Sequence, residues 1–382
     1  MSRNIRVAID LRDLKKGKTG TLTYLKSLCL VFDNLNKING VEYLYIRYPF
    51  SVFDGKNRVG KIIEHILFTL WKQFVLPIYC LIHRVDILFC TDYFLPLLPI
   101  PQKKVVVFHD TFFFEHPQNY NPIWLKSFHL IALRALNSNT KIIVPSNYVK
   151  TRLEIFLPLM KDQIIVVYEA AKKIQLQQTE SFEVWKQQFN KKLEVDKFIL
   201  YVGTLDYRKN LESFVKAFYT VQKSHPGVKF IIAGDSPKYK YGNGKAALIK
   251  LIHSLDMNDK VLLIGKVNDT QLQYLYRNAL CYGFPSLDEG FGLPIIEAME
   301  NGLPVMAANN TVLPEIGGDA AIYFSPFNQD EMTNAIQTLI KNDSLRNELK
   351  IKGQERAKLF SWEKAGKEIE SIFKKFHVTQ SI

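Results

Sequence analysis

Apolar residues along the chain gather into short runs set between stretches with helical spacing. In the first half the runs are 5–10, 43–47, 85–90, 104–109, 141–144 and 164–168. In the second half they are 198–203, 228–234, 261–265, 280–285, 304–307 and 321–324. Most are near-continuous rather than alternating, which is the pattern of strands buried on both faces. Helical segments between them predict parallel βαβ units. The expected fold is therefore α/β: two doubly wound parallel sheets, each offering ligand positions beyond the carboxyl ends of its strands.

The boundary between the two halves falls in the polar stretch 171–196, which still carries Phe182, Trp185 and Phe189 at helical spacing, so a linker containing a short helix is expected. Near the end, Ser361 stands as an N-cap before Trp362, Ala365, Ile369, Ile372 and Phe373, again at helical spacing. These breaks divide the chain into residues 1–175, residues 176–360 and a terminal helix in 361–382 that crosses back toward the first domain.

Two features bear on membranes. Ile5 to Ile9 already reads as a first strand, so no leader is expected. Residues 62–82 are apolar but include Glu64, His65, Lys72, Gln73 and Pro77, whereas a spanning helix needs about 20 mostly apolar residues with few charges. The segment is expected to pack on the protein or on a membrane surface rather than to span one.

Net charge is +13, and it is unevenly spread. Residues 1–180 hold 24 lysines and arginines against 14 aspartates and glutamates, an excess of ten, and the remaining 202 residues hold 26 against 23. A basic first half points to an anionic partner such as acidic lipid or a lipid diphosphate. Nucleic acid is not expected, because no recognisable nucleic-acid module accompanies the charge. Cys29, Cys80, Cys90 and Cys281 form no C-x-x-C pair, and the histidines are dispersed. A reduced, cytoplasmic protein without a metal site is expected.

Candidate chemistry concentrates in Pro285-Ser286-Leu287-Asp288-Glu289-Gly290-Phe291-Gly292-Leu293-Pro294-Ile295-Ile296-Glu297. It reads as a strand end, a glycine-hinged loop and a helix start. Gly290 and Gly292 admit conformations closed to other residues, and Pro294 suits a first helical turn. Free N–H groups there favour an anion, and carboxylates beside an anion site suit a ligand with both phosphate and hydroxyls. Glu289 and Glu297 are not assumed to be a facing acid–base pair, since helical spacing does not apply across the glycines. Gly203-Thr204 with Arg208-Lys209 follows another strand and puts two cations at its end. Gly17 and Gly20 open a helix after the first strand, expected from about Leu22. His109 ends a strand, where it could donate to a hydroxyl or carry a proton.

Taken in order and spacing, these residues resemble the retaining glycosyltransferases of family 4, the group 1 enzymes with the GT-B fold of two Rossmann-like domains facing across a cleft. The resemblance runs from about Arg6 to Phe373. It is carried by Phe284-Pro285-Ser286 through Glu297-Ala298-Met299, by Gly302-Leu303-Pro304-Val305, by Tyr201-Val202-Gly203-Thr204 with Arg208-Lys209-Asn210, and by Leu313-Pro314-Glu315 and Phe360-Ser361-Trp362-Glu363. Gly20, His109-Asp110 and Val144-Pro145-Ser146 match in the first half.

The resemblance implies an acceptor-binding first domain, a donor-binding second domain and a nucleotide sugar as donor, with no metal or other cofactor. By position, Glu289 would hold the transferred sugar and Glu297 the ribose. Lys209 and Arg208 would neutralise the diphosphate, with Thr204 and Ser286 beside it. The amides of Gly290, Phe291, Gly292 and Leu293 would meet sugar and diphosphate, Gly20 would approach from the other domain, His109 would contact the sugar, and the backbone near Val267 would meet the base. Many members carry Arg where Thr204 stands; Thr is common in a branch rich in mannosyltransferases, so the resemblance leans to GDP-mannose as donor, with UDP-glucose, UDP-galactose and UDP-N-acetylglucosamine left open.

The acceptor is expected to be a glycan or lipid-diphosphate-linked chain of a cell-surface polysaccharide or lipopolysaccharide, with the enzyme peripheral on the inner face of the membrane. Phe112–Phe114 and Trp124-Leu125-Lys126 are the aromatic and apolar groups expected to dip into that interface. A nucleotide-sugar epimerase on the same fold and a non-catalytic sugar-nucleotide-binding subunit are the alternatives.

Overall fold

The computed structural model describes residues 3–16, 19–35, 40–50, 58–98, 100, 102–172, 180–193, 197–236 and 243–378. Gly17 lies outside them. The chain forms two units, one made of Met1–Glu169 with Ser361–Ile382 and the other of Ala170–Phe360.

The first unit holds a six-stranded sheet of β1 (Ile5–Asp10), β2 (Val41–Ile46), β3 (Ile87–Cys90), β4 (Lys103–Val107), β5 (Thr140–Val144) and β6 (Ile164–Val166). Their spatial order is β2-β1-β3-β4-β5-β6. The second unit holds β7 (Phe198–Val202), β8 (Lys229–Ala233), β9 (Val261–Gly265), β10 (Cys281–Phe284), β11 (Val305–Ala308) and β12 (Ala321–Phe324), in the order β12-β11-β10-β7-β8-β9. Every pairing in both sheets is parallel. Each expected apolar run is a strand, displaced at its ends by at most three residues. The reason is visible in β3, β4, β8, β10 and β11, whose residues are buried throughout. In each sheet the chain reverses its direction of winding once. The reversals lie between β1 and β3 and between β7 and β10, and the crevices at such points bind ligands in this class of sheet.

The helix Glu180–Leu193 belongs to the second unit and stacks Phe182, Trp185 and Phe189 around Tyr274. The helix Trp362–Val378 packs on the first unit. Its Phe373 meets Phe32 and Phe89, and its Glu370 accepts a hydrogen bond from the Tyr43 hydroxyl at 2.8 Å. Gly366 lets it close on the helix Thr19–Leu35, since a Cβ there would strike Val31. Lys103, at the start of β4, donates to the carbonyls of Phe376 and His377 and so caps the helix end.

Residues 58–82 form one long helix, Arg58–Leu70 and Leu76–Ile82 joined by a π-helical turn, Trp71–Val75. Pro77 has no N–H for the carbonyl four residues earlier, and the helix widens in the turn before it. Among the described residues one helical stretch, Ile62–Ile82, is long and apolar enough to cross a membrane. Its middle, however, is anchored in the protein. Lys72 is buried between Asp10 at 2.6 Å and Asp92 at 2.5 Å, and the Trp71 indole donates to Asp10 at 3.0 Å.

Of the groups expected at an interface, Phe112, Phe114 and Leu125 are half-buried and Lys126 is exposed, while Phe113 and Trp124 pack inward. Phe113 is 1% exposed, and Trp124 stacks on buried Phe128. Together with Phe94 and Phe108 they belong to the first unit's core, because rings this large find more contact with each other than with a turn's surface.

Candidate active site

The second unit's reversal point brings together two loops remote in sequence. After β7 the chain passes Gly203, whose φ of 156° brings it close to the neighbouring strand end; a Cβ on Gly234 would land on the Gly203 carbonyl. Gly203 N–H donates to Ala233 at 3.0 Å and Leu205 N–H to Asp235 at 3.1 Å, tying the loop after β7 to the end of β8. Asp206 then caps a short turn, Tyr207–Lys209, by accepting from the Arg208 N–H, and Asn210 ends the turn in the left-handed conformation. The loop after β10 is laid against this turn. Leu287 N–H donates to the Arg208 carbonyl at 2.8 Å, Ser286 Oγ donates to the same carbonyl at 3.3 Å, and Asn310 from the next strand end holds the Leu287 carbonyl.

This interlock sets the charges. Lys209 Nζ donates to Glu289 Oε1, and Arg208 donates to Glu289 Oε2 at 3.1 Å and to the Asp288 carbonyl. Glu289 and Lys209 are both buried. Burial alone would raise the Glu289 carboxyl, but the ammonium of Lys209 and the guanidinium of Arg208 outweigh it and hold it at about 2. Burial lowers Lys209 against the pull of Glu289, with Arg208 adding repulsion. Glu289 is thus a fixed anion at neutral pH and holds no proton to donate. Within this ion-paired group two cations face one carboxylate, while Asp206 and Asp288 are buried in the same two loops.

Gly292 takes a φ of 93° and precedes the helix Leu293–Glu300, with Pro294 in its first turn. Gly290 is not in the left-handed region, so of the two loop glycines only Gly292 supplies the special conformation expected of both. Phe291 is buried and meets Phe360 edge-on at 5.9 Å. Glu297, one turn into the helix, accepts from the Tyr276 hydroxyl at 2.9 Å. Burial raises its carboxyl above the ordinary range, opposed by that hydrogen bond. The two glutamates therefore have separate partners and are not a facing pair. Thr204 is exposed, and its carbonyl accepts from the Tyr201 hydroxyl at 3.0 Å. Val267 lies two residues past β9, just before the capping box of Asn268 and Gln271.

In the first unit, Gly20 sits exposed in the first turn of the helix Thr19–Leu35, which begins before the expected Leu22, and a Cβ there would meet nothing within 4 Å. His109 follows β4 with both ring nitrogens engaged: Nδ1 lies 3.0 Å from Glu169 and Nε2 3.0 Å from the Thr91 carbonyl. Both partners are acceptors, so both nitrogens serve best as donors and the ring is best protonated. Burial opposes that charge, but Glu169 and the Thr91 carbonyl prevail and raise the imidazole above its usual value. Neither a free donor to a hydroxyl nor a proton carrier is what this ring presents. Glu169 went unread in the sequence because it pairs with a residue 60 positions away.

The first unit's reversal point carries a second ionic cluster that the motif pattern did not announce. Lys72 pairs with Asp10 and Asp92; Asp13 accepts from Thr91 Oγ1 at 3.4 Å, and Arg12 lies 3.7 Å from Asp13. Burial and the neighbouring Asp92 push Asp13 up to about 6. Asp10, Cys90 and Asp92 lie close enough to share an ion, yet the Lys72 ammonium already contacts both carboxylates. The arrangement offers carboxylates to hydroxyl groups.

Residues 182–356 match the family model of the glycosyl transferases group 1. Over 269 residues the chain is 29% identical to O-antigen chain mannosyltransferase B of Escherichia coli, covering 69% of this chain and 68% of that protein. Over 242 residues it is 25% identical to O-antigen chain mannosyltransferase RfbU of Salmonella typhimurium, covering 63% and 62%. The alignments thus span roughly two thirds of each relative. Among solved structures, the fold is similar to WaaG, a glycosyltransferase of lipopolysaccharide biosynthesis, with TM-score 0.69 at 15% identity over 96% of this chain and 99% of that one. It is similar also to HepE of Anabaena in complex with UDP and glucose, with TM-score 0.67 at 18% identity over 97% and 99%. With two all-parallel sheets, each with its own crevice, and the motif loops laid together at one of them, the chain has the GT-B fold, and its residues 182–356 are similar to the group 1 glycosyltransferases.

Proposed function

We propose that the protein moves a hexose from a nucleoside diphosphate sugar, GDP-mannose by preference, to a glycan or lipid-linked acceptor of a cell-surface polysaccharide, with retention at the anomeric carbon. The observation that carries this reading is the buried group of Glu289, Lys209 and Arg208 at the second unit's reversal point. Its excess positive charge suits a diphosphate leaving group, and the N–H groups opening the helix Leu293–Glu300 add a second source of positive potential. Preorganised charge of this kind acts where charge develops in the transition state. Glu289 accepts hydroxyl hydrogens from the sugar, and Glu297, steadied by Tyr276, accepts from the ribose. In the transfer the bond from the anomeric carbon to the diphosphate oxygen breaks, the acceptor oxygen bonds to that carbon on the same face, and the acceptor proton passes to the departing phosphate oxygen. The mannosyltransferase relatives favour mannose; the UDP complexes of HepE keep uridine donors in the comparison.

The test is acceptor-dependent release of nucleoside diphosphate from a panel of donors. Glu289→Ala should lower kcat at least a hundredfold, and a chelator should leave the wild-type rate unchanged, since Lys209 and Arg208 carry the neutralising charge. Formation of an epimeric nucleotide sugar, with no acceptor-dependent nucleotide release, would overturn the proposal in favour of an epimerase.

A further inference from the structure

The long helix over residues 58–82 has an outer face that the core does not use. Ile62, Ile66, Leu70, Phe74, Ile78 and Ile82 recur every fourth residue, and each is between 42% and 71% exposed. In an uninterrupted α-helix a row of that spacing would drift by ~40° per step and wind off the face. The π-helical turn Trp71–Val75 takes up about one extra residue and offsets part of that drift. The same turn sends Trp71, Lys72 and Gln73 inward. Gln73 holds the following loop against the helix, accepting from Leu97 N–H at 2.7 Å and donating to the Leu95 carbonyl at 3.3 Å. That loop adds exposed Leu97 and Leu98.

A contiguous apolar surface of this size on a soluble unit marks an interaction site. The charge around it selects the partner. The helix is followed by exposed His83 and Arg84, Glu64 is its sole acidic residue, and residues 1–180 carry ten more basic than acidic groups. An apolar row ending in basic residues on a basic unit matches anionic headgroups over acyl chains, whereas a second copy of the same unit would set like charges against each other. Insertion across the bilayer is excluded by the inner face, where Lys72 is 1% exposed and ion-paired at the helix's midpoint.

We propose that the outer face of the helix over residues 58–82, with Leu97 and Leu98, lies in the headgroup region of an anionic bilayer and docks the first unit there. This rests on, and sharpens, the reading of a lipid-linked acceptor: it names the surface that holds the enzyme to the membrane containing that acceptor. The opposite face of the same helix carries Lys72 to the carboxylates at the first unit's crevice, so the docking element and the acceptor-side cluster are one rigid piece.

The experiment is cosedimentation of the full chain, without donor or acceptor, with vesicles of phosphatidylcholine alone and with about 30% phosphatidylglycerol. Binding is expected to the mixed vesicles, to be weak on the neutral ones, and to fall with salt. The double variant Ile66→Glu with Phe74→Glu should lose at least tenfold in partitioning while keeping its melting temperature, since both positions already face solvent. Leu159→Glu, also exposed on the first unit, should bind as the wild type does. Equal binding by the double variant and the wild type, or none by the wild type, would overturn the proposal. So would a concentration-dependent dimer in solution that the double variant abolishes, which would make a second copy the occupant. Transfer to a soluble acceptor, measured separately, reports on the catalytic reading alone.

Discussion

The two sheets reverse at equivalent places, yet the ion-paired groups there carry opposite charge. Between β1 and β3, Lys72 and Arg12 are set among Asp10, Asp13 and Asp92. Between β7 and β10, Glu289 is set between Lys209 and Arg208. One ion-paired group has a carboxylate in excess, the other a cation. The same backbone plan thus yields a place suited to hydroxyls and a place suited to phosphates, by exchange of a few side chains at loop starts. The first half of the chain is the more basic overall, and yet its ion-paired group is the acidic one. Net charge describes what the outside of a unit meets, not what its site binds.

The comparison breaks most sharply at Lys72. Lys72→Met leaves buried Asp10 and half-buried Asp92 without their cation and should cost about 3–5 kcal/mol, read as a lowered urea midpoint. A loss under about 1 kcal/mol would mean that the cluster is well hydrated, and the contrast between the crevices would lapse. At the other crevice, Lys209→Ala should lower kcat about a hundredfold, roughly 2.7 kcal/mol of transition-state stabilisation. An unchanged kcat with a raised KM would restrict Lys209 to ground-state binding.

Titration separates the crevices by sign. Asp13 has a folded value of about 6 against 3.8 when free, so the folded protein holds the extra proton between these values, and stability falls as pH rises through that window. Asp13→Asn should therefore stabilise by about 2 kcal/mol at pH 8 and hardly at all at pH 3. Glu289, held at about 2 against 4.5, does the reverse: its contribution is complete above about 4.5 and is lost as pH falls toward 2. Melting curves of wild type and Asp13→Asn from pH 3 to 8 would test this; curves that stay parallel would remove the distinction. The smallest effect is at Tyr276→Phe, where loss of one hydrogen bond to Glu297 should cost about 1 kcal/mol and, on the ribose assignment, weaken donor binding severalfold in a thermal-shift titration.

The strands were readable because burial on both faces leaves a signature in consecutive residues, as in Val105–Val107 or Phe230–Ile232. The motif loop was readable because Glu289, Gly292, Pro294 and Glu297 are close in sequence. What escaped notice depends on distant partners. His109 finds Glu169 across 60 residues, and Lys72 finds Asp10 across 62. Lys72 looked like a polar interruption of an apolar helix, and only the structure turns it inward. Ile62 and its companions looked like packing residues, and only the structure turns them out. Phe113 and Trp124 are the converse, aromatic residues in a loop-like stretch that the core claims.

The return of the last helix to the first unit sets an order of assembly. Phe32 and Phe89 are fully buried, and Phe373 is part of what covers them. During synthesis that surface waits for the chain to pass the whole of residues 170–360, which form a unit continuous in sequence. The second unit to be made is thus the first able to complete its core, and the domain that begins the chain is finished last. A ribosome stalled near residue 360 would present a closed second sheet beside a first sheet with an open apolar flank.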